Sequence, residues 1–182
     1  MRGNVLLTAA FALCAAALCV AGCAAPGMPA PAASCPAPAP AVILLDVRTV
    51  EIDTSLAGIG PLAIPLVQAA LLHLQQRLRA GGESGTARFS LPEAALHEQP
   101  LPESDGIPPA ARFEARLVYV AKLDAPGRAL PPIQGEARCS LVMVGLPSPA
   151  ERSWAIQQVT HGVITNMDRA LEPALAPWRK TP

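Results

Sequence analysis

Side chains able to do acid, base, nucleophile or metal chemistry are few in this 182-residue chain, and their spacing assembles no reaction. His73, His97 and His161 are the only histidines. No pair of them has metal-site spacing, and the chain holds no Cys-x-x-Cys or His-Glu-x-x-His. His73 is expected near the polar border of a helix, His97 at a strand end and His161 in mid-helix. Asp46 and Glu51 fall on one predicted strand and are candidates for a buried carboxylate pair, although mixed exposure is the favoured reading. Ser140 lacks the Gly-x-Ser-x-Gly setting of a nucleophile elbow. The glycine-rich stretches 58–61 and 81–85 link no strand to a helix with a following lysine, so they are expected to be turns. No acid, base and nucleophile converge. The chain is therefore read as a non-enzyme, with no catalytic residue, metal or cofactor assigned.

One spacing does prescribe chemistry. Val20-Ala21-Gly22-Cys23 places an apolar residue, two small ones and a thiol at the end of the apolar run 5–20. It resembles the lipobox of bacterial lipoproteins. The resemblance implies recognition of Val20, Ala21, Gly22 and Cys23 by a lipoprotein signal peptidase, cleavage before Cys23, and acyl chains on the sulfur and amine of Cys23. Three chains hold far more firmly than one, which alone gives marginal binding. An uncleaved membrane helix is the rival reading, but the run has about 16 residues where about 20 are needed to span a bilayer. Ala24 is not the aspartate that retains such lipoproteins at the inner membrane. The resemblance therefore implies the periplasmic face of the outer membrane.

Of five cysteines, Cys14 and Cys19 leave with the leader and Cys23 is consumed by lipidation. Cys35 and Cys139 remain in an oxidising compartment. They either form a bridge or stay as two free thiols, with Cys139 buried as a small hydrophobe. The second reading is favoured, because Cys35 falls in a proline-rich stretch.

Formal net charge is zero, which removes the electrostatic case for nucleic acid or a polybasic membrane patch. Aromatic residues make up 3% of the chain, so the core is expected to be aliphatic and the anchors of sugar-binding or base-stacking sites are scarce. The chain divides into a leader at 1–22, a lipidated cysteine with a Pro/Ala-rich tether at 23–40, a folded domain at 41–176 and a tail at 177–182. Six prolines in the tether prevent helix and ladder alike. At about 3.1 Å per residue its polyproline form reaches on the order of 50 Å.

Within the domain, the β-branched run 42–52 predicts one half-central strand. Pro61 and Pro65 open a helix whose face carries Leu66, Ala70, Leu74 and Leu78, with Val67 and Leu71 beside them. Arg77 and Arg79 are expected off that stripe in the last turn, with Gly81 and Gly82 ending the helix. Three strands follow, over 87–96, 112–123 and 136–144. Pro92 marks the first as an edge strand or a bulge. The other two alternate charged and apolar residues, as an antiparallel pair with one wet face does. Ser148-Pro149-Ala150-Glu151 is a capping box. The helix behind it is expected to bury Ile156, Val159, Val163, Met167, Ala170 and Ala174, with Trp154, Ile164 and Leu171 on the flanks. Gly162 is read as a point of close helix–sheet approach, and Pro173 as a kink or the end of the helix. Trp178 is assigned to a loose tail. The expected fold is α+β, with a four-stranded, mainly antiparallel sheet and both helices on one face, in the order β-α-β-β-β-α.

Leader, tether and element order together resemble the small outer-membrane lipoproteins of Gram-negative bacteria. The lipoprotein partner of the lipopolysaccharide translocon and the auxiliary lipoproteins of ABC-type transport systems have a similar plan. A set of uncharacterised bacterial lipoproteins looks closer. It shares a helix ending like 77–82, a strand like 86–96, a pair like Phe113-Glu114-Ala115-Arg116-Leu117 with Gly135-Glu136-Ala137-Arg138, and a last helix ending like 168–175. That likeness covers most of residues 42–176 and carries no functional residue beyond Cys23. It supports fold and location and gives no activity. The favoured reading is a lipid-anchored, non-enzymatic adaptor or assembly partner in the cell envelope, held to the membrane through Cys23 and docking an envelope protein through the open sheet face, an exposed edge, or both. The alternative is an auxiliary of an envelope transport system that binds a lipid or small ligand, in a cavity lined by Leu74, Met143 and Met167.

Overall fold

The computed structural model describes residues 41–53, 55, 59–103, 108–127 and 130–180. Val20, Ala21, Gly22, Cys23, Cys35 and the tether lie outside the described residues. The elements run β1 (Ile43–Leu45), β2 (Thr49–Ile52), α1 (Ile64–Arg77), β3 (Leu78–Ala80), β4 (Thr86–Leu101), β5 (Ala110–Asp124), β6 (Ile133–Val144) and α2 (Pro149–Ala174). Single 3-10 turns, Pro61–Ala63 and Ala176–Trp178, precede α1 and follow α2.

The main sheet has four strands in the order β2-β4-β5-β6. Its two long pairings are antiparallel, and β2 joins β4 in parallel. Both helices cover one face, as expected. Leu66, Val67, Ala70, Leu71 and Leu74 of α1 share one continuous core with Val159, Val163, Met167 and Leu171 of α2 and with Phe89, Phe113, Leu117 and Tyr119 of the strands. Leu74 is 2% exposed and Met167 fully buried, so both are core-packing residues. No helix among the described residues is long and apolar enough to cross a membrane.

The first predicted strand is two strands. Leu45 and Val47 are both fully buried, so side chains alternate in burial across the break. The backbone nevertheless changes partner: β1 pairs in parallel with β3 as a separate two-stranded sheet, while β2 forms an edge of the main one. The same pairing shortens α1. Leu78 belongs to β3 and not to the helical stripe, because its extended backbone aligns with Ile43 while its side chain still reaches the core. Gly81 and Gly82 do not cap the helix. Their N–H groups donate to the carbonyls of Leu45 (2.8 Å) and Val47 (2.9 Å). A Cβ at Gly82 would lie 2.6 Å from the Val47 nitrogen, so only glycine allows the approach.

Pro92 falls at a β-bulge, where the β4–β5 register shifts between Ser90 and Glu93. β2 accompanies β4 only as far as Phe89, so the missing N–H of Pro92 breaks no ladder bond to β2. The three later strands run further than their apolar patterns indicate.

In α2 the capping box forms as expected. Ser148 Oγ accepts from the Glu151 N–H at 3.3 Å, and Glu151 Oε2 accepts from the Ser148 N–H at 2.8 Å. The buried stripe is rotated from the expected one. Ala155 and Leu171 are buried, Ile156 and Ile164 are half-buried, and Ala170 and Trp154 are exposed. Pro173 falls one residue before the helix end, as predicted. Trp178 is a core residue and no loose end. It is 2% exposed and meets Phe89 edge-on at 6.4 Å, while its carbonyl accepts from the Asp46 N–H at 2.8 Å. Lys180 N–H donates to the Leu44 carbonyl at 3.1 Å, so the chain after α2 lines β1 on the side away from β3.

Candidate functional site: the uncovered sheet face

Among the described residues, both helices lie on one face of the main sheet and no layer covers the second. Alternation along the long strands places Arg112, Glu114, Arg116, Val118, Val120 and Lys122 of β5 on this face. Glu136, Arg138, Ser140, Val142 and Val144 of β6 flank them, with Arg88, Glu93, His97 and Gln99 of β4 on the other side. The residues read from sequence as the charged side of an antiparallel pair are therefore brought together.

Arg116 is the centre of this face. It pairs with Glu93 of β4 on one side, and its Nε and Nη2 lie 3.0 and 3.1 Å from the Glu136 carboxylate of β6 on the other. Arg138 also pairs with Glu136. Hydrogen bonds from Arg116 and then Arg138 lower the Glu136 carboxyl to a pKa of about 2. The same carboxylate raises the Arg116 guanidinium further above its ordinary value. Three strands are thus crosslinked by a row of alternating charge, with half-buried Val118 and Val120 beside it. The row combines paired ions with shallow apolar ground. It holds no base and nucleophile in mutual reach.

Further along, His97, Glu98, Gln99, Pro100, Arg112 and Glu114 line a shallow depression of about 390 Å³. Among the described residues no group of three His, Cys, Asp or Glu side chains is placed to hold a metal ion. His161 is exposed on α2. Glu51 is exposed and pairs with Arg88 at 2.9 Å, and Asp46 lies in the bend between β1 and β2, so the two carboxylates considered as a pair belong to different surroundings. Cys139 is half-buried on the covered face beneath Gly162, where a Cβ would overlap its sulfur.

The sequence reading missed one constellation. Arg77 is 6% exposed and not in solvent at the helix end. Its Nε lies 2.7 Å from Asp168 Oδ1 and its Nη2 3.0 Å from Glu172 Oε2, while Nη1 donates to the Ala41 carbonyl at 2.8 Å. His73 Nε2 lies 3.3 Å from the same Asp168 oxygen, and Arg179 reaches Glu172 at 3.1 Å. The available signal was the spacing of Asp168 and Glu172, one turn apart on one face of α2. This cluster ties α1, α2 and the start of the folded domain, which makes it structural.

No protein-family model matches the chain, and no curated protein matches it. Solved structures similar to it are bacterial lipoproteins. The rare lipoprotein B of Shewanella oneidensis is 14% identical, with 71% of this chain and 96% of that one covered and a TM-score of 0.41. An uncharacterized lipoprotein B of Nitrosomonas europaea is 15% identical over 78% and 96%, with a TM-score of 0.49. A minor lipoprotein of Acinetobacter baumannii is 10% identical over 69% and 91%, with a TM-score of 0.35.

Proposed function

We propose that this protein is a lipid-anchored lipoprotein of the outer membrane's periplasmic face, acting without catalysis as an adaptor or assembly partner for another envelope protein. The anchor rests on Val20, Ala21, Gly22 and Cys23. The docking role rests on one observation above the others: a four-stranded sheet whose second face carries the Glu93–Arg116–Glu136–Arg138 row and has no covering layer among the described residues. A pre-paired charged row of this kind favours specificity over bulk affinity, because a partner must match its signs to avoid leaving ions unpaired.

The test uses the full chain in its own membrane. Photo-crosslinking side chains placed at Val118 or Lys122 should give one discrete envelope-protein adduct, and the same probe at Gln157 on the outer side of α2 should not. Loss of that adduct in Cys23→Ala, which also loses incorporation of a palmitate analogue, would tie docking to the anchor. Equal adducts at all three positions, or none at Val118 and Lys122, would overturn the reading.

A further inference from the structure

The β6 edge of the main sheet ends in a stretch built to pair. Strand edges in soluble proteins usually carry charges, prolines or bulges that discourage a neighbour. The stretch 140–144, Ser-Leu-Val-Met-Val, carries none of these. On β6 the Arg138 carbonyl points away from β5, where Asn166 Nδ2 of α2 donates to it at 2.8 Å. In an antiparallel ladder, edge-facing backbone groups recur at every second residue. Those of Ser140, Val142 and Val144 therefore face outward too, just beyond the point where α2 reaches the edge. Beside them Val142 is 48% exposed, Val144 75% and Leu146 80%.

We infer that this edge pairs antiparallel with the same edge of a second copy. Self-pairing about a two-fold axis normal to the sheet requires partners on the same face. The register that uses Ser140, Val142 and Val144 and leaves the Asn166-bound Arg138 carbonyl undisturbed sets Val142 opposite itself, with Ser140 opposite Val144 of the second copy. No charged residue lies within the paired stretch 140–144, at whose end β6 stops, so no like charges face each other there. Two four-stranded sheets become one continuous eight-stranded sheet. The three exposed side chains present on the order of 350 Å² per copy, a patch of functional size and rather less than half of the ~800 Å² that each partner brings to a stable interface. The strand backbone and flanking residues supply the remainder.

The experiment places a single cysteine in the full-length acylated protein, in a Cys35→Ser, Cys139→Ala background, and oxidises it in detergent. Val142→Cys should form a covalent dimer, because directly opposed residues lie ~5.5 Å apart, within disulfide range. Ser140→Cys is the control, held roughly 14 Å from its own copy by a four-residue offset. The expected result is about tenfold more dimer at 142 than at 140, with Val142→Lys sedimenting as a monomer and keeping its melting temperature. Equal dimer at both positions would mean chance sharing of a micelle, and no dimer at 142 in a folded protein would mean a free edge. Either would overturn the inference, and neither bears on docking at Val118 and Lys122.

Discussion

Arg77 Nε lies 2.7 Å from Asp168 Oδ1, at 6% exposure for the whole arginine, although the two residues are 91 positions apart in sequence. The same guanidinium binds Glu172 and the Ala41 carbonyl, so one side chain joins both helices to the first described residue of the domain. Removing the buried arginine at the centre of an ion cluster strands its partners. Arg77→Met is expected to cost about 2–4 kcal/mol in denaturant unfolding. Asp168→Asn should cost less, about 1–2 kcal/mol, because Glu172 still satisfies part of the guanidinium. Equal and negligible effects of both would show that the cluster is ornamental.

Much of this architecture was legible. The 3.6-residue stripe in α1, the capping box at Ser148 and Glu151, the alternation in β5 and β6 and the bulge at Pro92 are local signals, and local signals survive folding. What escaped is non-local. Nothing in residues 42–52 marks where the backbone leaves β3 for β4. Likewise nothing near Arg77 shows that Asp168 and Glu172 will arrive beside it, and a tryptophan six residues after Glu172 reads as tail until Phe89 is placed against it. The charged face was legible as a face, but the Arg116 row was not, since register across three strands is set by the bulge and turns.

Gly162 marks a close approach of α2 to β6. Alanine there would gain about 1 kcal/mol in helix propensity, yet its methyl would overlap the Cys139 sulfur. Overpacking costs of about 1–3 kcal/mol should win. Gly162→Ala alone is expected to lower the melting temperature, and Cys139→Ala combined with it should recover most of the loss. A double-mutant cycle with zero coupling would contradict the close approach.

Trp178 carries the end of the chain into the core, against Phe89 and with its carbonyl on the Asp46 N–H. Trp178→Ala is expected to cost about 3–5 kcal/mol, the range for emptying a large aromatic site. A stop after Leu175 should be at least as damaging, because it also removes the carbonyl partner of the Asp46 N–H and the N–H partner of the Leu44 carbonyl in β1. Thermal unfolding of both variants against the wild type checks this; a truncated chain that melts unchanged would return residues 176–182 to the status of a tail.

Glu136 offers a test of the sheet face by acid. Its carboxyl is lowered from 4.5 to about 2 by hydrogen bonds from Arg116 and Arg138. A folded-state value below the unfolded one means that the ionised form is favoured by folding. The contribution is complete above about 4.5 and is lost as pH falls toward 2. Because the group faces solvent, the effect should be modest and should shrink in added salt. Glu136→Gln should therefore flatten the stability profile between pH 4.5 and 2 and leave little difference between the proteins near pH 2. Carboxyl NMR titration of Glu136 reads the same property directly, and a midpoint near 4.5 in the folded protein would dissolve the charged row on which the docking proposal rests.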